Sequence, residues 1–387
     1  MSVRPDVSSP PQLSPAELRR YKRHLVLPEF GLEAQRRLKA GSVLLIGLGG
    51  LGSPAALYLT AAGVGRIGIV DADVVEESNL QRQIAHGHST LGRLKNESAE
   101  ARMRDINPDV VIERHDVRFG VDNALELVAR YDVIIDGTDN FPTRYLVSDA
   151  CVKLGKPNVY GSVLRFDGQL SVFDARSGPC YRCLFPEPPP AEFAPNCAEA
   201  GVLGVLPGVI GTLQATEAIK LLTSTGQPMI GRLLIYDGLD LSFTTVQIAR
   251  DPDCPVCSRP SAEIVLEDTQ MACAAPAARS ISCSALLARL ASADELLLVD
   301  VRQPAEWSTG MIPGALALSR PDLDNALERG ELPLPRERDL VLVCQSGMRS
   351  QAAIASLLTA GYDPQRLFNL EQGMNAWTGD VHLAVAA

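Results

Sequence analysis

The chain of 387 residues lacks an excess of positive charge. Its 36 Lys and Arg stand against 46 Asp and Glu, a formal net charge of −10 and a pI of about 5.1. That balance argues against nucleic acid or an anionic membrane as the main partner. A long apolar run is also missing. The longest weakly apolar stretch, Gly201 to Leu213, is short and broken by Pro207, so no membrane span is expected. Met1 to Pro11 is polar and proline-rich without an apolar signal core, so a cytoplasmic chain is expected. No internal repeat is present. What the chain has is a 46% hydrophobic content suited to a globular α/β protein, and a length that favours two domains. Nine cysteines, four of them in two Cys-x-x-Cys pairs, point to cytosolic metal and thiol chemistry rather than secreted disulfides.

Gly47-Leu48-Gly49-Gly50-Leu51-Gly52 follows an apolar run, Ser42 to Ile46, and precedes a helix-like stretch, Ser53 to Ala62. Strand, glycine-rich turn and helix form a phosphate cradle, because glycine lets backbone approach the phosphate and the helix start offers free N–H groups. The next strand, Arg66 to Val70, ends in Asp71, which lies 19 positions beyond Gly52, near the spacing of a ribose-binding carboxylate. This much fits a nicotinamide dehydrogenase as well as an ATP enzyme.

Strand–helix alternation runs through residues 12–257. Ser14-Pro15-Ala16-Glu17 is a capping box that opens a helix through His24. Val133 to Asp136, Leu170 to Phe173 and Leu233 to Tyr236 are expected strands; a helix begins near Pro142, and a long one covers Pro207 to Leu222. The pattern predicts a doubly wound, mostly parallel sheet with antiparallel additions. Residues 258–278, ending Ala/Pro-rich, read as a linker. A smaller α/β block, 279–387, follows, with strands Leu296 to Asp300 and Leu340 to Cys344 and a helix Ser350 to Ala360.

Asn79-Leu80-Gln81-Arg82-Gln83 and Lys95 follow Asp71, and Asp136-Gly137-Thr138-Asp139-Asn140 closes a strand. A dehydrogenase has little use for two cations beside its pyrophosphate. An enzyme that splits ATP between the α- and β-phosphates needs them against the charge that develops there. Asp139 is then suited to Mg²⁺. Arg20-Tyr21-Lys22-Arg23-His24, Asp71-Ala72-Asp73, Ser78 to Gln83, Thr138-Asp139-Asn140 and Asn196-Cys197-Ala198 complete the pattern. With the glycine turn and the Cys-x-x-Cys pairs, these residues resemble the enzymes that activate ubiquitin-like proteins, in the branch of molybdopterin-synthase and thiamin-carrier adenylyltransferases. The resemblance implies a Rossmann-like homodimer that binds MgATP and adenylates the C-terminal Gly-Gly of a small β-grasp carrier protein. It implies that Gly47, Gly49, Gly50 and Asp71 hold the nucleotide, that Ser78, Asn79, Leu80, Gln81, Arg82 and Lys95 face its phosphates, and that Asp139 and Asn140 lie at the metal. Arg23 would reach the triphosphate from the neighbouring subunit. Without the resemblance, Lys95 is an ordinary surface lysine and Arg23 part of a basic helix face.

Cys180-x-x-Cys183 and Cys254-x-x-Cys257 are two metal half-sites, 71 positions apart, and spacing alone is only suggestive. The resemblance implies a structural Zn²⁺ on these four thiolates, which would leave no open position for catalysis. A redox pair or free thiols is the alternative. Cys197 lies in a Pro- and Gly-rich stretch, Pro186 to Gly208, and the resemblance implies a nucleophile on a crossover loop. Cys151 is expected in the core.

Cys344-Gln345-Ser346-Gly347-Met348-Arg349-Ser350 follows a buried strand and opens a helix, a setting whose N–H groups stabilise a thiolate or persulfide. With Asp300-Val301-Arg302, Gly310 to Ala315 and Gly373 to Trp377, it resembles single-domain rhodanese sulfurtransferases. Glu371-Gln372-Gly373 departs from that family, which commonly has a second glycine there. Four residues separate Cys344 from Arg349; the related phosphatases carry five, so the smaller loop implies a sulfane sulfur rather than phosphate.

Together the halves imply a carrier-protein thiocarboxylate made by adenylation and then sulfur transfer, with thiosulfate or a cysteine-desulfurase persulfide as the donor. The expected setting is molybdenum-cofactor biosynthesis; thiamin, cysteine and siderophore carriers are alternatives. An NAD-dependent oxidoreductase fused to a sulfur-binding module and a non-catalytic scaffold are readings from other classes.

Overall fold

A computed structural model describes residues 10–188, 201–267, 279–292 and 295–382. They divide into two compact units. The first is built on eight strands: β1 (Ser42–Ile46), β2 (Arg66–Val70), β3 (Val111–His115), β4 (Val133–Asp136), β5 (Asn158–Leu164), β6 (Asp167–Phe173), β7 (Arg232–Asp237) and β8 (Ser242–Gln247). Their order is β3-β2-β1-β4-β5-β6-β7-β8, parallel as far as β5 and antiparallel beyond it. The doubly wound sheet with antiparallel additions is therefore present.

Alternation explains why β1 is apolar throughout. Val43 and Leu45 enter one core with Leu59 of the helix Gly52–Ala62 and Ala215 of the helix Val205–Thr223. Leu44 and Ile46 enter the opposite core with Leu146 and Val147 of the helix Phe141–Leu154. A strand covered on both faces has no polar side to show. Each such Leu or Ile, fully buried, contributes about 1.5–3 kcal/mol.

The capping box is formed, with the Glu17 N–H donating to Ser14 Oγ and the Ser14 N–H to Glu17 Oε2. The expected single helix through His24 is, however, two short ones, Pro15–Arg20 and Lys22–Leu25. They break at Tyr21, which is buried and accepts a hydrogen bond from Asn107 Nδ2 at 2.8 Å. Gly63 makes room for that phenol: a Cβ there would lie 2.3 Å from its oxygen. Residues 258–267, where the linker was expected to begin, lie against the first unit. Ile264 is buried, and Lys153 donates to the carbonyls of Ser261 and Ile264.

The second unit has strands β9 (Arg279–Ile281), β10 (Leu296–Asp300), β11 (Leu316–Ala317), β12 (Asp339–Val343) and β13 (Leu367–Leu370). All pair in parallel, in the order β11-β10-β12-β13-β9. Leu340 and Leu342 face one core and Val341 and Val343 the other. Central β12 ends beside Cys344, and the helix Met348–Thr359 follows. No helix among the described residues is long and apolar enough to cross a membrane.

Candidate active sites

Strand order reverses between β1 and β4, so their C-terminal loops rise side by side, where open α/β sheets bind ligands. Gly47 leaves β1 at φ +89. A Cβ on Gly47 would stand 2.9 Å from the Gly137 carbonyl oxygen, and one on Gly52 only 1.9 Å from that of Gly47. One on Gly50 would meet Pro207 at 2.9 Å, whereas one on Gly49 would find nothing nearer than Gln83 Nε2 at 3.8 Å. The turn is thus tight against protein on one side and open over Gly49, as a phosphate cradle requires.

Asp71 ends β2 and shapes this turn. Its Oδ2 accepts from the Leu48 N–H at 2.8 Å and its Oδ1 from the Asp73 N–H at 2.9 Å, and each oxygen keeps a further lone pair. Asn79 is buried and accepts from the Glu76 N–H at 3.1 Å, which fixes the 3₁₀ turn Glu77–Asn79. Arg82 donates to the Ser78 carbonyl at 3.0 Å, and its Cγ would lie 3.5 Å from a Cβ on Gly50. Ser78 and Gln81 are exposed; Leu80 is half-buried. Lys95 opens the helix Lys95–Ile106 and is only 7% exposed. Its ammonium meets the exposed carboxylate of Asp73 at 2.8 Å. It is therefore no ordinary surface lysine: its stem is buried and its charge is held at the mouth of the turn.

Beyond β4, the Thr138 N–H and hydroxyl both donate to Asp136 Oδ1, at 3.0 and 2.6 Å. Arg144 donates to the Thr138 carbonyl at 3.1 Å. Complete burial pushes the Asp136 carboxyl above its usual range, against the opposing pull of Arg144. This clamp sets Asp139 at the exposed tip of the loop, as a metal carboxylate needs. Asn140 accepts from the Thr143 N–H at 3.0 Å, so its side-chain oxygen caps the helix Phe141–Leu154. Arg23 is exposed on its short helix, with no hydrogen bond or ion pair to another described residue.

Sequence reasoning missed His86. It is buried, with Nε2 3.1 Å from the Leu48 carbonyl oxygen and Nδ1 3.0 Å from Ser98 Oγ. Burial lowers its pKa from 6.5, and the Lys95 charge adds to the effect. Nothing local in the sequence marks it, because both partners lie at least twelve positions away.

The four half-site cysteines converge. Their Sγ atoms lie within 4.8 Å of one another, with Cys180–Cys254 at 3.5 Å, Cys183–Cys257 at 3.4 Å and Cys180–Cys183 at 3.8 Å. Tetrahedral zinc with Zn–S bonds of about 2.3 Å separates its sulfurs by roughly 3.8 Å. The set fits a closed Zn²⁺ site, whose chemistry is structural. Cys151 is fully buried beside Leu146 and Val147, as expected of a core residue. Cys197 lies outside the described residues.

In the second unit, Cys344 is fully buried at the end of β12. Its Sγ accepts from the Gly347 N–H at 3.1 Å and lies 3.3 Å from Ser350 Oγ. The Cys344 carbonyl accepts from the Met374 N–H at 2.8 Å, and a Cβ on Gly373 would strike that oxygen at 2.1 Å. Gln372, the departure from the rhodanese pattern, takes φ +57. The chain therefore accepts a left-handed residue where glycine would cost about 1–2 kcal/mol less. Arg349 binds Glu306 through its Nη1 and Nη2, at 2.6 and 2.8 Å. Burial pushes the Glu306 carboxyl up, but the hydrogen bonds from Arg349 and the Gln303 N–H, with the charges of Arg349 and Arg302, together hold it below its usual value. Beneath the loop, the wholly buried Arg302 and Asp300 pair at 2.7 Å, and Arg302 reaches Gln345 Oε1 at 3.4 Å. Glu306 was not foreseen, since it is 43 positions from Arg349.

Residues 21–256 match the ThiF family and residues 282–380 the rhodanese-like domain. A protein of Mycobacterium tuberculosis named probable adenylyltransferase/sulfurtransferase MoeZ is 45% identical, over 97% of this chain and 96% of its own. Adenylyltransferase and sulfurtransferase MOCS3 of Drosophila yakuba is 42% identical, over 96% of this chain and 85% of its own. A sulfur carrier protein adenylyltransferase of Thermus thermophilus is 50% identical, over 66% of this chain and 97% of its own. Among solved structures, E. coli MccB with MccA-N7isoASN superposes at a TM-score of 0.57 with 18% identity, covering 62% of this chain and 75% of that one, a likeness of fold. The full-length relatives support the adenylyltransferase/sulfurtransferase enzyme class, and the chain belongs to the ThiF family, with a rhodanese-like domain C-terminal to it.

Proposed function

We propose that the first unit adenylates the C-terminal glycine of a small ubiquitin-like sulfur-carrier protein with MgATP, and that the second supplies the sulfur that turns it into a thiocarboxylate. The observation that carries this reading is the fusion itself. A glycine turn with Asp71, Arg82, Lys95 and Asp139 accompanies a thiol loop with Cys344 in one chain, and relatives that match nearly all of it are named for both activities.

The carrier's terminal carboxylate attacks the α-phosphorus of ATP, the bond to the β-phosphate breaks, and pyrophosphate leaves. The glycine-turn N–H groups cradle phosphate oxygens. Lys95 exchanges Asp73 for the phosphates, and Asn79, Arg82 and Arg23 of a neighbouring subunit add donors. Asp139 would hold Mg²⁺ with water, and the ion would supply positive charge against the pyrophosphate that leaves. In the second unit, the Cys344 thiolate takes a sulfur atom and carries it as a persulfide. Its terminal sulfur attacks the acyl carbon and displaces AMP, giving an acyl disulfide. The Cys197 thiolate then attacks the Cys344 sulfur. The carrier leaves as its thiocarboxylate, and a Cys197–Cys344 disulfide remains for a dithiol reductant to open. The proposed domain limits are 12–257 and 279–387, the proposed assembly is a homodimer, the proposed compartment is the cytoplasm, and molybdenum-cofactor biosynthesis is the proposed setting.

Separate partial reactions test this. Asp139→Ala should reduce ATP–pyrophosphate exchange, measured with the carrier present, at least about 100-fold. The fold should survive, because an exposed side chain away from the core changes stability by no more than about 0.5 kcal/mol. Cys344→Ser should keep the exchange and lose sulfur transfer from thiosulfate to cyanide. Thiocarboxylate formed at full rate by Cys344→Ser would refute the coupling of the two units.

A further inference from the structure

Two guanidinium groups belong to or touch the Cys344 loop, and a carboxylate matches each. Arg302, which reaches Gln345, is paired in the interior with Asp300; both side chains are 1% exposed. Arg349, on the loop itself, is gripped by both oxygens of Glu306, with side-chain exposures of 15% and 23%. Glu306 is anchored in turn, since its Oε2 accepts from the Gln303 N–H at 2.9 Å. Two neutral donors, the Gly347 N–H and the Ser350 hydroxyl, point at the sulfur. Such a loop stabilises one negative charge on sulfur. A dianion such as thiosulfate needs more, and must draw Arg349 from a bidentate, charge-assisted pair.

We propose that Glu306 is a specificity-determining residue that occupies Arg349 and so biases Cys344 away from small dianionic sulfur donors and toward a protein-borne persulfide. The inference rests on the reading of Cys344 as the sulfur acceptor. With either donor the chemistry is one displacement. The Cys344 thiolate attacks the outer sulfur, the donor's S–S bond breaks, and the electron pair leaves as sulfite from thiosulfate or as a thiolate from a persulfide. Choice therefore lies in binding, which is what a competing carboxylate controls.

Glu306→Gln in the full chain is the test, because glutamine keeps the shape and the acceptor for Gln303 while removing the charge. Its KM for thiosulfate in sulfur transfer to cyanide should fall by roughly three- to tenfold, with kcat within about twofold. Sulfate, an unreactive dianion, should inhibit it more strongly by a similar factor. Loading of Cys344 by a cysteine desulfurase supplied with L-cysteine, followed as the mass gain of one sulfur, should stay within about twofold of the parent. A thiosulfate KM that is unchanged or raised overturns the inference, as does equal acceleration with both donors. Thermal unfolding checks the fold, and Glu306→Ala, which also removes the charge, should shift the sulfate inhibition in the same direction if the glutamine variant folds poorly. A parent protein that loads no sulfur on Cys344 from either donor overturns the sulfur-transfer reading and this inference with it.

Discussion

His86 ties the glycine turn to the helix that carries Lys95, with one ring nitrogen at the Leu48 carbonyl and the other at Ser98. Burial holds its folded pKa below 6.5, so below that value the unfolded chain binds the proton more readily than the folded one. Stability must then rise with pH across the window between the folded pKa and 6.5, and be lost as pH falls through it. The slope from one proton is at most about 1.4 kcal/mol per pH unit. Calorimetry of the parent between pH 7 and 5 should show this loss, and His86→Asn should flatten it. An unchanged slope would mean that the charging of His86 does not govern acid sensitivity. The sequence marks Asp71 through its distance from the glycine turn and Lys95 through the family resemblance, but not the buried histidine, because its partners are set by packing.

At the scale of elements, the Cys180–Cys183 knuckle does more than bring thiols together. Tyr181 is buried among Tyr145, Tyr160 and Phe173, and Arg182 binds Asp149 bidentately on the helix Phe141–Leu154. That helix begins one residue after Asn140, beside Asp139. Cys254→Ser should therefore lower zinc content, read by elemental analysis, and should cost several kcal/mol of stability, since a structural site contributes its binding free energy to folding. A parent protein without zinc would end this assignment. The expected strands are present as elements, and β1, β2, β4 and β10 match their expected limits, because apolar runs bounded by turn residues leave little choice; β3, β5, β8, β9, β11 and β13 were not foreseen. The N-terminal helix does not match: burial of Tyr21 under Gly63 breaks it, and no local propensity foretells that contact.

For the whole molecule, the test is complementation. Arg23 is exposed, and the proposed homodimer gives it a role in the partner's site. Subunits with Arg23→Ala and with Asp139→Ala, each nearly inactive alone, should regain up to one working site per mixed dimer in ATP–pyrophosphate exchange. No recovery from subunits shown to exchange would remove Arg23 from the site. The sequence by itself determined the two α/β blocks, the glycine turn, the thiol loop and the two half-sites for metal. Each is a local pattern, in which neighbours along the chain set backbone conformation and burial period. Only the tertiary structure decided which distant groups meet: Gly47 against Gly137, Cys183 beside Cys257, Glu306 on Arg349. Those meetings depend on sheet order and on the packing of elements tens of residues apart, and no short stretch of sequence encodes the sum of those contacts.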